Sequence, residues 1–156
     1  MKRRRSYSEK WLELRLAEAL TRHGLRNFHM SSPSLLGIPD RYVIGANGLW
    51  IEVKQGESIA DLIRGFDRQR TFLSALHKGG DAACVCALWQ PPQSPYLPRL
   101  FLEPWEMWLT RERRAGQGRR WDKYEGMYRS PAPMDKPADL DALFEFFCSY
   151  AGNINV

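Results

Sequence analysis

From Ala82 to Trp89 the chain reads Ala-Ala-Cys-Val-Cys-Ala-Leu-Trp, apolar at every position, with Gly79-Gly80 before it and Pro91-Pro92 after it. The run is of strand length. A strand that is apolar at each residue, rather than at each second one, has both of its faces covered. The chain therefore needs helices on either side of a sheet, which makes its fold class α/β.

The neighbouring segments supply them. Residues 8–23 read as a helix, with Ser8 or Ser6 as its N-cap, Leu12, Leu16, Ala19 and Leu20 at helical spacing, and Gly24 as its stop. "SSPSLLGIPD" is a loop by its Ser, Pro and Gly content. "RYVIG" and "LWIEVK" are two short strands, and Asn47-Gly48 between them signals a tight hairpin turn. "ESIADLIRGFDRQRTFLSALHKGG" is helical, with a bend around Gly65. This gives the order α-β-β-α-β, a mixed sheet flanked by helices. Composition changes after Trp89, where "QPPQSPYLPRLFLEP" holds five of the ten prolines and is irregular in its first part. "RLFL" offers one more strand, "EPWEMWLTRERR" a helix with Pro104 in its first turn, and "AGQGRRWDKYEGMYRSPAP" a basic loop. The tail "ADLDALFEFFCSYAG" is an amphipathic helix with Leu140, Leu143, Phe144 and Phe147 on one face.

Several function classes drop out. At 156 residues the chain is most simply one domain. No apolar run approaches the roughly 20 residues of a membrane span, and the basic start Met1-Lys-Arg-Arg-Arg5 has no apolar stretch behind it. A soluble, cytoplasmic protein with no membrane partner is the expectation. Cys84, Cys86 and Cys148 lack any disulfide or zinc spacing and suit buried, reduced thiols. His23, His29 and His77 are scattered and suit capping or surface roles. A net charge of +5 favours an anionic partner, nucleic acid first.

The stretch "GIPDRYVIGANGLWIEVKQG" carries the chemistry. Glu52 and Lys54 share one face of a strand whose Ile51 and Val53 point to the other, and the hairpin brings that face beside Asp40. Two carboxylates on neighbouring strands suit Mg²⁺, which takes one or two carboxylates plus waters and phosphate oxygens. Such an ion neutralises phosphate charge and makes hydroxide available near neutral pH. A lysine beside it orients the attacking water or stabilises charge building on phosphorus. A strand-face ion pair and a turn-forming Asp40 are the plain alternatives, and it is the joint pattern that favours a site.

Pro39-Asp40, eleven intervening residues and then Glu52-Val53-Lys54 resemble the signature of the PD-(D/E)xK nuclease superfamily. The wording "GIPDRYVI" and "LWIEVKQG" is similar to VRR-NUC domains and archaeal-type Holliday junction resolvases. The likeness spans roughly residues 8 to 89. It implies a restriction-endonuclease-like core, α-β-β-β-α-β with a mixed central sheet flanked by helices, and an α-rich C-terminal extension. Residues 1–7 would be a basic tail, 8–90 the nuclease core and 91–156 an extension of the same domain. The family's helix-borne metal-associated glutamate corresponds to Glu13, with Leu16, Ala17, Leu20 and Gly24 in the expected places, and Glu9 is the fallback. Gln69 matches the glutamine early in the following helix.

The resemblance thus implies Asp40, Glu52, Lys54 and Gln69 as catalytic residues. It implies Glu13, Asp40, Glu52 and the Val53 backbone carbonyl as ligands of Mg²⁺, with Mn²⁺ able to substitute. The partner would be DNA, branched or junction-like, cut by an endonuclease in repair, recombination or phage DNA processing. Arg3, Arg4, Arg5, Arg41, Arg68, Arg119 and Arg120 are the expected DNA contacts. Arg111, Arg113, Arg114, Arg119 and Arg120 with Trp108 and Trp121 suggest a backbone clamp with stacking residues or, equally, a solvated basic face. A homodimer is expected from the family, with the tail helix either at its interface or packed on its own core. A non-catalytic DNA-binding subunit and a sequence-specific restriction-type enzyme are the alternative readings.

Overall fold

The computed structural model describes residues 6–31, 37–44, 48–92, 97–121, 131–134 and 136–154, with side chains described as far as Ser149. The elements run α1 (Glu9–Arg22), β1 (Asn27–His29), β2 (Arg41–Val43), β3 (Leu49–Gly56), α2 (Ile59–Gly65), α3 (Arg70–Lys78), β4 (Ala82–Trp89), β5 (Arg99–Pro104), α4 (Trp105–Gly116), β6 (Ala132–Pro133) and α5 (Pro137–Ile154). One six-stranded sheet holds the strands in chain order, β1 to β6. Only β3 and β4 pair in parallel, and the crossover between them is α2 and α3. The other pairs are antiparallel. The expected α/β class and mixed sheet flanked by helices are therefore present, and β5 and β6 continue the sheet of β1–β4.

The alternation of β4 between two cores is why its sequence is apolar throughout. Cys84, Cys86 and Leu88 join Leu12, Leu16 and Leu20 of α1 and Leu140, Phe144 and Phe147 of α5 in one cluster. Ala83, Val85 and Ala87 face Leu62, Phe66 and Leu73 of α2–α3 and Trp105 and Trp108 of α4 in the other. Each buried leucine or phenylalanine contributes about 1.5–3 kcal/mol of burial. Cys84, Cys86 and Cys148 are buried thiols. Burial holds Cys86 far above the ordinary thiol range and Cys148 up at about 11, so neither is poised to react.

Local signals set the boundaries. Ser8 caps α1 by accepting from the Trp11 N–H at 3.1 Å, which settles the choice between Ser8 and Ser6. Helix α2 ends at Gly65, the expected bend, and residues 66–69 turn before α3 begins. Of the Asn47-Gly48 signal, Gly48 has φ +63°, where a side chain would strike the Tyr42 ring. Asn47 lies outside the described residues. Periodicity gave two strands before the crossover, and β1 makes the third, pairing with β2 through Asn27↔Val43 to His29↔Arg41.

Two readings of the C-terminal part are open between alternatives, and the tail helix takes the one in which it packs on its own core. Leu140, Leu143, Phe144 and Phe147 of α5 are buried in the chain's own core, so that face is not free to form a dimer interface. The proposed clamp also loses its centre. Arg111 is fully buried, its Nη2 donating to Glu103 Oε2 at 2.9 Å and its Nη1 to the Trp121 carbonyl at 2.7 Å. Trp108 is fully buried as well, and Trp121 packs on Trp89 and Phe101. A basic-aromatic segment reads as a surface in sequence. Here Glu103, on the strand that runs directly into α4, pairs with the arginine and lets it sit under the sheet. Among the described residues, no helix is long and apolar enough to cross a membrane.

Candidate active site

Asp40 immediately precedes β2, and Glu52 lies directly beyond the Arg41↔Ile51 pair on β3. The sheet register therefore sets the two carboxylates opposite each other. They are stitched together through the backbone. The Asp40 N–H donates to Glu52 Oε2 at 3.1 Å, and the Val53 N–H donates to Asp40 Oδ2 at 2.8 Å. Lys54 Nζ lies 3.0 Å from Glu52 Oε1, an ion pair on the strand face turned away from Ile51 and Val53. Ile51 and Val53 anchor the other face in the α1–α5 core. The strand is thus anchored through one face while Glu52 and Lys54 stand on the other.

The electrostatics are strained by burial. Glu52 is fully buried, and its Oε1 has no partner of hydrogen-bonding geometry despite the ammonium nearby. Burial first, and the Asp40 charge second, push its carboxyl up to about 8, against the opposing pull of Lys54. Burial also raises Asp40, partly countered by the Val53 N–H and Lys54 and reinforced by Glu13. Burial pulls Lys54 down, but the Glu52 carboxylate beside it, with the charges of Glu9 and Asp40, leaves it above the ordinary lysine value. Lys54 is therefore an ammonium, suited to orient or stabilise rather than to accept a proton.

The Gln69 Cα lies 3.6 Å from where a Cβ on Gly37 would sit, on the segment that leads into Asp40. Gln69 sits in the 66–69 turn at the N-terminus of α3, and its Oε1 is buried without a hydrogen-bond partner among the described residues. The turn is pressed against the chain entering Asp40: a Cβ at Gly37 (φ +87°) would lie 2.2 Å from the Arg68 carbonyl oxygen. Only a residue without a side chain fits there. Arg68 itself is exposed beside this contact.

Helix α1 borders a cleft of about 530 Å³ lined by Glu9, Lys10, Glu13, Leu14, His29, Asp40, Arg41 and Val53. Buried Gln90 fixes the start of the helix, accepting from the Tyr7 N–H at 2.6 Å and donating to the Tyr7 carbonyl at 2.8 Å and Gln55 Oε1 at 2.9 Å. The two glutamates of α1 then diverge. Glu9 accepts from the Gln55 N–H at 3.3 Å, near the end of β3. Glu13 faces Asp40 but accepts from Arg41 Nη1 at 2.7 Å and from His29 Nδ1 at 2.6 Å. Arg41 is thereby held inside the cleft wall. Arg119 and Arg120 are exposed just before Trp121, which packs on Trp89, the register partner of Gly56. They leave α4 at the sheet end where the Glu52–Lys54 strand finishes. Arg3, Arg4 and Arg5 lie outside the described residues.

His29 is the cleft residue that sequence reading placed elsewhere. It is carried by β1, a three-residue edge strand whose burial shows no apolar alternation. The one available signal was the family's implied third strand, whose position would have put His29 opposite Arg41.

A divalent cation suits this donor set. Two neighbouring carboxyls, both pressed upward by burial, gain from a hard positive charge beside the Lys54 ammonium that lies 3.0 Å from Glu52 Oε1. Among the described residues, no three His, Cys, Asp or Glu side chains gather tightly enough to hold an ion unaided.

No family model matches the chain, and no curated protein matches it. Among solved structures it is similar to Hjc from Archaeoglobus fulgidus, a Holliday junction resolvase from an archaeal hyperthermophile. The identity is 23% and the TM-score 0.35, over 59% of this chain and 74% of that one. So loose a likeness leaves function to be argued from the site's own geometry.

Proposed function

We propose that this chain is a metal-dependent DNA endonuclease of the PD-(D/E)xK kind, acting on branched or junction DNA. One observation carries the reading: Asp40, Glu52 and Lys54 meet in a hydrogen-bonded, buried cluster whose carboxyl groups are raised toward neutrality. A purely structural ion pair has no need of a second, repelling carboxylate. The branched-DNA preference rests on the sequence likeness of "GIPDRYVI" and "LWIEVKQG" alone.

In this reading Asp40, Glu52 and the Val53 carbonyl hold Mg²⁺, or Mn²⁺ in its place. When bound, the ion supplies charge neutralisation on the phosphate and a hydroxide near neutral pH. Lys54, kept charged by Glu52, orients the attacking water and stabilises negative charge developing on the phosphoryl oxygens. Gln69 accepts a hydrogen from that water through its unpartnered Oε1. Arg68, Arg119, Arg120 and the basic segment Arg3–Arg5 contact the DNA backbone, where each cation adds salt-sensitive affinity. The chemistry belongs to residues 8–90, and the extension, 91–156, adds contacts. Pairing of two chains, which a symmetric junction favours, is left to surfaces other than the apolar face of α5.

The test incubates the protein with plasmid, linear duplex, single-stranded, flap and four-way-junction DNA in Mg²⁺, Mn²⁺ or EDTA. The expected result is cleavage that requires metal, favours the junction or flap, and is lost in Asp40→Ala and Glu52→Ala. Cleavage retained by both variants overturns the site. Tight binding with no cleavage of any substrate makes the chain a DNA-binding subunit instead.

A further inference from the structure

We propose that Glu13 braces Arg41 as a clamp for a substrate phosphate. This rests on the metal-dependent nuclease reading and concerns how the substrate is seated beside the metal. The Glu13 Oε1 atom already accepts from two donors, Arg41 Nη1 at 2.7 Å and His29 Nδ1 at 2.6 Å. Glu13 is thereby the carboxylate that pairs the Arg41 guanidinium in a wall where only 11% of that side chain is exposed.

The rest of the guanidinium fits the clamp. Arg41 Nε donates to Asn27 Oδ1 at 2.9 Å, so one edge of the fork is fixed between β1 and α1. Nη2 is left without a hydrogen-bond partner among the described residues. Arg41 follows Asp40 directly in the chain and lines the same cleft. A phosphodiester placed with its scissile group at Asp40 and Glu52 brings a further phosphate oxygen to that free amine. His29 buttresses the arrangement from the other side of Glu13. The ligand class is thus a phosphate of the bound strand, held next to the one that reacts.

The brace and the ligand roles separate by variant. Mn²⁺ binding is measured by calorimetry without DNA, and Kd for labelled junction and duplex DNA is measured in EDTA. Glu13→Ala is expected to keep wild-type Mn²⁺ affinity and to weaken DNA binding about tenfold, the scale of one charge-assisted contact. Arg41→Ala should lose the same factor, and the double variant should lose no more than either. Glu13→Gln retains the acceptor oxygen and should rescue DNA affinity, which also covers the case that Glu13→Ala folds poorly. Asp40→Ala serves as the reference and should abolish Mn²⁺ binding. Loss of Mn²⁺ affinity in Glu13→Gln and Glu13→Ala, with DNA affinity in EDTA unchanged, overturns the brace while leaving the metal site standing. Full Mn²⁺ binding by Asp40→Ala overturns the metal site and the brace with it.

Discussion

Replacing Glu52 by glutamine should make the metal-free protein more stable at neutral and alkaline pH, although it removes one partner of an ion pair. The carboxyl is fully buried, its Oε1 has no hydrogen-bond donor of proper geometry, and it is pushed up to about 8 from the ordinary 4.5. A group whose folded pKa is raised contributes stability below its unfolded value and loses it as pH climbs through the folded one. The wild type should therefore lose stability relative to Glu52→Gln between about pH 4.5 and about pH 8. At about 1.4 kcal/mol per pKa unit the ceiling is about 5 kcal/mol. Separating the Lys54 ammonium from its partner, and fitting an amide beside it, reduces the expected gain to about 1–3 kcal/mol. For a chain of this size that is a rise in Tm of about 3–10 °C. Thermal melts across about pH 5 to about pH 9 in EDTA read the difference directly. Repeating them in Mg²⁺ should reverse its sign, since only the wild type gains from the ion. A variant that melts lower than wild type at alkaline pH in EDTA, or a difference that does not change with pH, would refute the reasoning.

Other perturbations follow from the same geometry. Lys54→Ala should lower turnover far more than DNA affinity in steady-state and binding assays, and an equal loss of both would make Lys54 a simple phosphate contact. Gly37→Ala should destabilise the fold by more than about 3 kcal/mol in denaturant titration. Its φ is +87° and its Cβ would lie 2.2 Å from the Arg68 carbonyl oxygen. Arg111→Ala should cost about 3–5 kcal/mol by removing the buried guanidinium that pairs Glu103, and the double replacement Glu103→Leu with Arg111→Met should recover most of it.

The parts of this structure that local pattern dictates were readable in the chain. Uninterrupted apolarity from Ala82 to Trp89 demanded helices on both faces of β4, and α1, α5 and α2–α4 cover them. The alternation of Ile51 and Val53 with Glu52 and Lys54 separated a core face from a chemical face. What escaped depends on partners distant in sequence. Strand β1 is short, edge-placed and half exposed, so only its pairing with β2 makes it a strand, and His29 went unseen with it. Strand β6 is two residues long and contains a proline. Arg111 belongs to a run, "RERR", that looks solvated, yet Glu103 makes it part of the interior. The register between Asp40 and Glu52 was foreseeable from the hairpin. The Arg41–Glu13 bond was not, because it joins α1 to β2 across a loop.

The most direct measurement is the rate at which Asp40→Asn cleaves the preferred DNA in Mg²⁺, set beside the wild type and the wild type in EDTA. The account predicts a loss of at least about a thousandfold for the variant, close to the EDTA background, with the fold and DNA affinity retained. Cleavage by Asp40→Asn within about tenfold of wild type would contradict it and place the chemistry elsewhere in the chain.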